Sequence, residues 1–249
     1  MSEVLRAVPE WFEAWFDSPY YALLYRHRNR DEAASFLDLL IEEAGLKPGN
    51  RVLDLACGQG RHSIHLAARG LDVMGIDLSA RSIEVAAASA RPGLRFERAD
   101  MREFQIDRIF DAILNLFTSF GYFGAERENH QVLERAALHL KPKGIFVLDY
   151  LNSIQVRARL VPLEEVMRDG IRFIISRRIE SMHVVKEIHV EDGDYRFSFM
   201  ERVQLFDLPT LLAMLGTHGL KVTHTFGDYR LGPFDAAESE RLILVAQKE

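Results

Sequence analysis

The spacing of apolar positions changes twice along this chain, and each change marks a different kind of structure. Over residues 10–44 apolar and aromatic side chains recur at helical spacing, with Trp11, Trp15, Leu23, Leu24, Phe36, Leu39 and Leu40 on the apolar side. This predicts two amphipathic helices separated at Ser18-Pro19. Gly45 and the turn Pro48-Gly49-Asn50 end the second. From residue 51 the pattern becomes short apolar runs, at 51–56, 72–77, 94–98, 110–115 and 144–150, which read as strands. Helix-like stretches fall between them at 61–69, 79–90 and 126–140, and Ser79 is placed to cap the second of these. Alternating strands and helices predict a doubly wound α/β fold with right-handed crossovers. The continuous run Phe146-Val147-Leu148 suits a strand buried on both faces.

The second change follows Asn152. Segments 171–181, 184–192 and 195–206 alternate apolar and polar residues, and Asp192-Gly193-Asp194 is a hairpin turn. They predict an antiparallel β insert. A helix over 208–219, with Pro209 in its first turn, and strands at 220–226 and 241–247 close the chain. The organisation expected is an N-terminal helical cap (1–45), an α/β domain built from 46–152 and 207–249, and an insert (153–206) acting as substrate lid or oligomerisation surface.

Composition narrows the class. With 249 residues, 48% hydrophobic and 27% charged, the chain is ordinary globular material. A net charge of -6 argues against a nucleic-acid partner, which would call for a basic face. The single cysteine, Cys57, allows no intramolecular disulfide and fits a reducing compartment. The first residues lack a signal-peptide pattern and no apolar run approaches the roughly 20 residues of a membrane span. The expectation is a cytoplasmic protein with no membrane partner.

The chemistry concentrates where the first two strands end. The loop Cys57-Gly58-Gln59-Gly60 joins a strand to a helix, where backbone N–H groups and the helix dipole receive a polar ligand. Gly58 and Gly60 let a ligand approach the backbone. Asp77 ends the next strand, and one carboxylate there accepts hydrogen bonds from two ribose hydroxyls. The dinucleotide fingerprint would need a third glycine where Ser63 stands. Asp54, just before the loop, would repel a pyrophosphate and favours a cationic ligand. S-adenosylmethionine has a sulfonium, an ammonium and no phosphate.

These residues resemble the class I S-adenosylmethionine-dependent methyltransferases of small-molecule type. The match runs from Asp54 to Gly60 with Asp77, through Ala99-Asp100-Met101 after the third strand, to the fourth strand and loop at 110–123, which is similar to that of amino-sugar N-methyltransferases. The resemblance implies a mostly parallel seven-stranded sheet with its last strand antiparallel. It implies S-adenosylmethionine as cofactor, held by Tyr25, Arg28, Asp54, Ala56, Gly58, Gly60, Asp77, Leu78, Asp100, Met101, Asn115 and Leu116, with no metal. The acceptor, a small molecule methylated on N or O by in-line displacement, is expected near Tyr20, Tyr21, Phe117, Thr118, Tyr122, Asn152, Asp228 and Tyr229. Tyr122 and Asp149 are the candidates for catalytic roles, and a homodimer through the insert is a further expectation.

Bland readings compete at several positions. Cys57 reads as a small packed residue, since no base is paired with it in the sequence. His62 and His65 lack the further ligands a metal requires. The insert arginines, Arg172, Arg177, Arg178, Arg196 and Arg202, form either a solvated strand face or a site for an anionic substrate. The alternatives to a methyltransferase are a non-catalytic nucleoside-binding protein and a nicotinamide-dependent oxidoreductase. Ser63 and Asp54 count against the last.

Overall fold

The computed structural model describes residues 10–26 and 30–249. Its centre is a seven-stranded sheet of β1 (Arg51–Leu55), β2 (Asp72–Asp77), β3 (Leu94–Arg98), β4 (Phe110–Asn115), β5 (Leu140–Leu151), β10 (Leu220–Phe226) and β11 (Arg241–Lys248). The spatial order is β10-β11-β5-β4-β1-β2-β3, and β11 runs antiparallel to both its neighbours. The strand order reverses between β1 and β4, so their carboxyl ends open a crevice where α/β sheets bind ligands.

Burial on both faces explains the continuous apolar strands. Val52, Val73, Leu114, Val147 and Ile243 pack with Phe36, Leu37 and Leu40 of α3 (Arg30–Glu43). Leu53, Ile113, Phe146 and Leu148 face the other way, toward Leu133 and Ala136 of α6 (Glu126–His139) and Leu211 and Leu215 of α8 (Leu208–Thr217). Alternate residues of one strand thus meet different helical layers. The remaining crossover helices are α4 (Arg61–Ala68) and α5 (Ala80–Ala87), and Ser79 caps α5 as its sequence suggests, accepting from Ser82 N.

Two parts differ from the sequence reading. The N-terminal region holds α1 (Trp11–Phe16) and α2 (Pro19–Leu24) ahead of α3, three helices where the periodicity suggested two. Ser18 caps α2, accepting from Tyr20 N, with Pro19 in its first turn. The insert is a four-stranded antiparallel sheet, β6-β7-β8-β9: β6 (Leu163–Arg168), β7 (Ile171–Glu180), β8 (His183–Asp192) and β9 (Tyr195–Gln204). The edge strand β6, Leu-Glu-Glu-Val-Met-Arg, is mostly exposed and lacks the alternation that reveals the other three. A short helix, α7 (Ser153–Ala158), precedes it. A third cluster, with Trp15 and Leu24 against Phe173, Ile175, Ile188 and Val190, docks the insert on the N-terminal helices.

Candidate active site

The crevice at the ends of β1 and β4 opens into a cavity of about 1830 Å³. Its walls include the glycine loop with α4, the start of α5, the loop after β4, the N-terminal helices, the inner face of the insert with the segment at 156–161 that leads into it, and Tyr229 with Arg241. That is larger than the roughly 300–1,000 Å³ of a site for one small ligand, and leaves room for two molecules side by side.

The glycine loop is held by its own carboxylates. Gly58 N donates to Asp77 Oδ2 and Ser79 N to Asp77 Oδ1, both at 2.8 Å. Ser63 Oγ donates to Asp54 Oδ2 at 2.6 Å, so Ser63 fills the fingerprint's missing glycine position by tethering Asp54. The two glycines serve different needs. A side chain on Gly60 (φ 79°) would meet the Phe96 ring at 2.7 Å, so this residue allows helix-to-strand packing. The space beside Gly58 (φ 54°) is open, as close approach by a ligand requires.

Burial raises the carboxyls of both Asp54 and Asp77, despite the hydrogen bonds that oppose it. Asp54 is pushed up to about 7, with the Ser63 hydroxyl opposing and the charge of Asp77 adding to the rise. Both acids stand behind the glycine loop, and the cavity lining beside that loop carries Arg61 and Arg81. Burial, with the charges of Asp54 and Asp77, also pushes the Cys57 thiol up, which disqualifies it as a nucleophile.

The loop after β4 is strained and clamped. Phe117 (φ 57°) and Thr118 (φ 62°) are consecutive left-handed residues, each costing about 1–3 kcal/mol. Asp149 restrains them: its Oδ2 accepts from Phe117 N at 2.8 Å and its carbonyl from Thr118 N at 2.9 Å. Arg241 completes the clamp, reaching Asp149 Oδ1 at 2.6 Å and Thr118 Oγ1 at 2.9 Å. Burial works against the Arg241 charge, but Asp149 and then Tyr229 hold its pKa above the usual value. Tyr229 joins the group, its hydroxyl 3.3 Å from Asp149 and its ring stacked on Phe117.

The structure gathers many of the expected residues at the cavity wall: Tyr21, Tyr25, Ala56, Gly58, Leu116, Phe117, Thr118, Tyr122 and Tyr229. Tyr25 lines the cavity from the N-terminal helices and reaches the insert, where its hydroxyl donates to Glu201 Oε1 at 2.6 Å. Tyr20 points to the far end of the insert, donating to Asp192 at 3.0 Å, because α2 turns successive tyrosines to different sides. Asn152 caps α7 and donates to Ala236 and Ser239 carbonyls, and Asp228 accepts from Arg230 and Gly232 N–H groups within its own turn. Both spend their polar atoms on backbone. Asp149 is fully buried in the clamp and is not an open carboxylate of the cavity. Asp100 is gripped by Arg102, which also pairs with Glu10 and Glu128. Asn115 is buried and donates to the Ser119 carbonyl, with Met101 beside it, while Leu78 packs against the core. His62 stacks on Phe117. Arg28 lies outside the described residues. Among the described residues no group of three or more metal-ligating side chains gathers, and no helix is long and apolar enough to cross a membrane.

Several residues escaped the sequence reading. Asp17 accepts from Ser79 Oγ at 2.6 Å and Arg81 N at 3.0 Å, pinning the α1–α2 corner to the start of α5 beside Asp77. Arg241 and Asp149 are 92 positions apart, and no local pattern links them.

Comparison with known proteins agrees with this geometry. A methyltransferase domain matches residues 52–144. A dTDP-3-amino-3,4,6-trideoxy-alpha-D-glucopyranose N,N-dimethyltransferase of Streptomyces venezuelae is 31% identical over 83% of this chain and 91% of its own length. A glycine/sarcosine N-methyltransferase of Parasynechococcus marenigrum is 30% identical over 86% of this chain and 76% of its own. Among solved structures, an S-adenosylmethionine-dependent methyltransferase from Clostridium acetobutylicum superposes with a TM-score of 0.79 at 20% identity, covering 92% of this chain and 96% of the other. Streptomyces venezuelae DesVI superposes at 0.72 with 26% identity, covering 92% and 97%. The glycine loop, the acid ending β2, the strand order and these relatives together place the chain in the class I S-adenosylmethionine-dependent methyltransferases.

Proposed function

We propose that this enzyme methylates an amine nitrogen of a small molecule held between the glycine loop and the insert. One observation carries the reading: one large cavity runs from the glycine loop, with Asp54 and Asp77 behind it, to an aromatic wall. S-adenosylmethionine supplies a methyl group on a cationic sulfur that is already a good leaving group. Asp77 and the open backbone at Gly58 suit its ribose, and the charge of Asp77 with Asp54 behind the loop favours its positive charge. The aromatic wall, Trp11, Phe16, Tyr21 and Tyr122, draws the amine in as its cation by cation–π attraction. The ammonium gives up its proton to solvent before the nitrogen lone pair attacks the methyl carbon and the sulfur leaves as a neutral thioether. The names of the amino-sugar and glycine/sarcosine relatives, both N-methyltransferases, support the same choice.

In this reading the protein aligns nucleophile and methyl group and excludes water, which suffices for a displacement with so good a leaving group. Tyr122 orients the amine. Asp149 acts through the loop it clamps, fixing Phe117 and Thr118 at the wall, and takes no proton itself. The N-terminal helical segment (1–45) serves as the cap and the antiparallel insert (153–206) as the lid. A homodimer through the insert and a cytoplasmic location complete the proposal, checked by sedimentation velocity and cell fractionation. The central test offers labelled S-adenosylmethionine with a pool of small amines and hydroxyl compounds. Label on nitrogen supports the proposal; label on hydroxyl oxygen alone, or none despite S-adenosylhomocysteine binding, defeats it.

A further inference from the structure

The inner face of the insert carries charge where a covered sheet face usually carries apolar side chains. Strand register sets Arg177 of β7 directly opposite Lys186 of β8, and Lys186 opposite Glu201 of β9. All three line the cavity, with side chains only 21%, 12% and 18% exposed. The same face is apolar on both sides of this row: Ile175, Ile188 and Phe199 before it, Ile179, Val184 and Val203 after it.

A carboxylate on each flank holds one of the two cations. Glu201 Oε1 accepts from Trp15 Nε1 at 2.7 Å and from the Tyr25 hydroxyl at 2.6 Å. Its Oε2 lies 3.4 Å from Lys186 Nζ, which also donates to the Tyr25 hydroxyl. On the other flank Arg177 Nη2 donates to Glu164 at 2.6 Å, and Nη1 to the Val161 carbonyl at 3.4 Å. The two cations are left as cross-strand neighbours. Like charges directly opposite destabilise a strand pair, where an apolar pair would stabilise it. An oxyanion between them turns that repulsion into charge-assisted hydrogen bonds.

We propose that Arg177 and Lys186 form an anion subsite, and that the methyl acceptor carries a carboxylate or phosphate group that docks on them. This rests on the methyl-transfer reading of the cavity and adds a chemical class to the acceptor: a molecule with its nucleophile at one end and an oxyanion at the other.

The test titrates the full chain, saturated with S-adenosylhomocysteine, with acetate, inorganic phosphate and pyrophosphate by calorimetry. At least one anion binds, and R177Q and K186Q each weaken it tenfold or more while K186R retains it. The preference between acetate and the phosphates identifies the docking group. Affinity for S-adenosylhomocysteine stays unchanged in all variants. Absence of anion binding to the native chain overturns the subsite, as does binding that survives both glutamine variants. Failure of S-adenosylhomocysteine to bind the native chain defeats the methyltransferase reading instead. If K186Q melts early, R177Q alone decides, because Arg177 shares no carboxylate with Trp15 and Tyr25.

Discussion

Asp54 and Asp77 show how much one side chain's surroundings determine. Asp77 ties the glycine loop to the start of α5 with two backbone hydrogen bonds. Asp77→Ala is expected to weaken S-adenosylhomocysteine binding by about 1.5–3 kcal/mol, the range for hydrogen bonds to a charged group. Unchanged affinity in a folded variant would remove Asp77 from the site. Asp54 gives a pH prediction. Burial pushes its carboxyl from 3.8 to about 7, so the folded chain holds a proton that the unfolded chain has lost. Its contribution to stability is complete below about pH 4 and is lost as pH rises through about 7. A cationic ligand prefers the ionised form, so S-adenosylmethionine affinity should rise over the same upper range, with proton release. Asp54→Asn should flatten both trends in melting and calorimetric series. Slopes identical to those of the native protein would show that another group is responsible.

At the scale of elements, glycine placement decides how α4 meets the sheet. Gly60, left-handed at the N-terminus of α4, lies where any side chain would strike Phe96 of β3, and Gly75 of β2 lies against the same ring. Gly60→Ala combines a left-handed alanine, about 1–2 kcal/mol, with that clash. It should lower stability by about 2–4 kcal/mol, with overpacking supplying the larger part, and weaken ligand binding through loop displacement. Denaturant midpoints measure the first effect, and a wild-type midpoint would mean that the ring moves freely aside. The helices of the α/β core were legible because a period of 3.6 persists over whole elements, and its strands because burial on both faces makes them continuous apolar runs. The edge strand β6 was not, because neither of its faces is consistently buried and no alternation is imposed on it.

The whole molecule depends on Trp15 more than its position near one end suggests. Its ring is fully buried between α2 and the insert, and its indole N–H donates to Glu201. Trp15→Ala should cost about 3–5 kcal/mol, as for other buried aromatic truncations. It should also free the insert from the N-terminal helices. Limited proteolysis of the variant is expected to cut within 160–206 faster than in the native chain. Equal cutting rates there would mean that the insert is held by other contacts.

The sequence by itself determined the α/β class, the antiparallel insert, the glycine loop and the acid that ends β2. These are local features, written in periodicity and in short motifs whose residues act within one strand–turn–helix unit. Only the tertiary structure decided which polar side chains reach the cavity. Asp149 reads as an acid at a strand end, yet Arg241, far along the chain, turns it into the clamp of a strained loop. Asn152 and Asp228 read as site residues, yet backbone groups nearby absorb their hydrogen bonds. Arg177 reads either as part of a solvated strand face or as an anion site, and the tertiary structure sets it on the cavity wall beside Lys186 and Glu201, which Trp15 and Tyr25 of the N-terminal region contact. A side chain's charge is encoded locally, but its partners and its distance from water are set by chain segments that sequence does not place beside it.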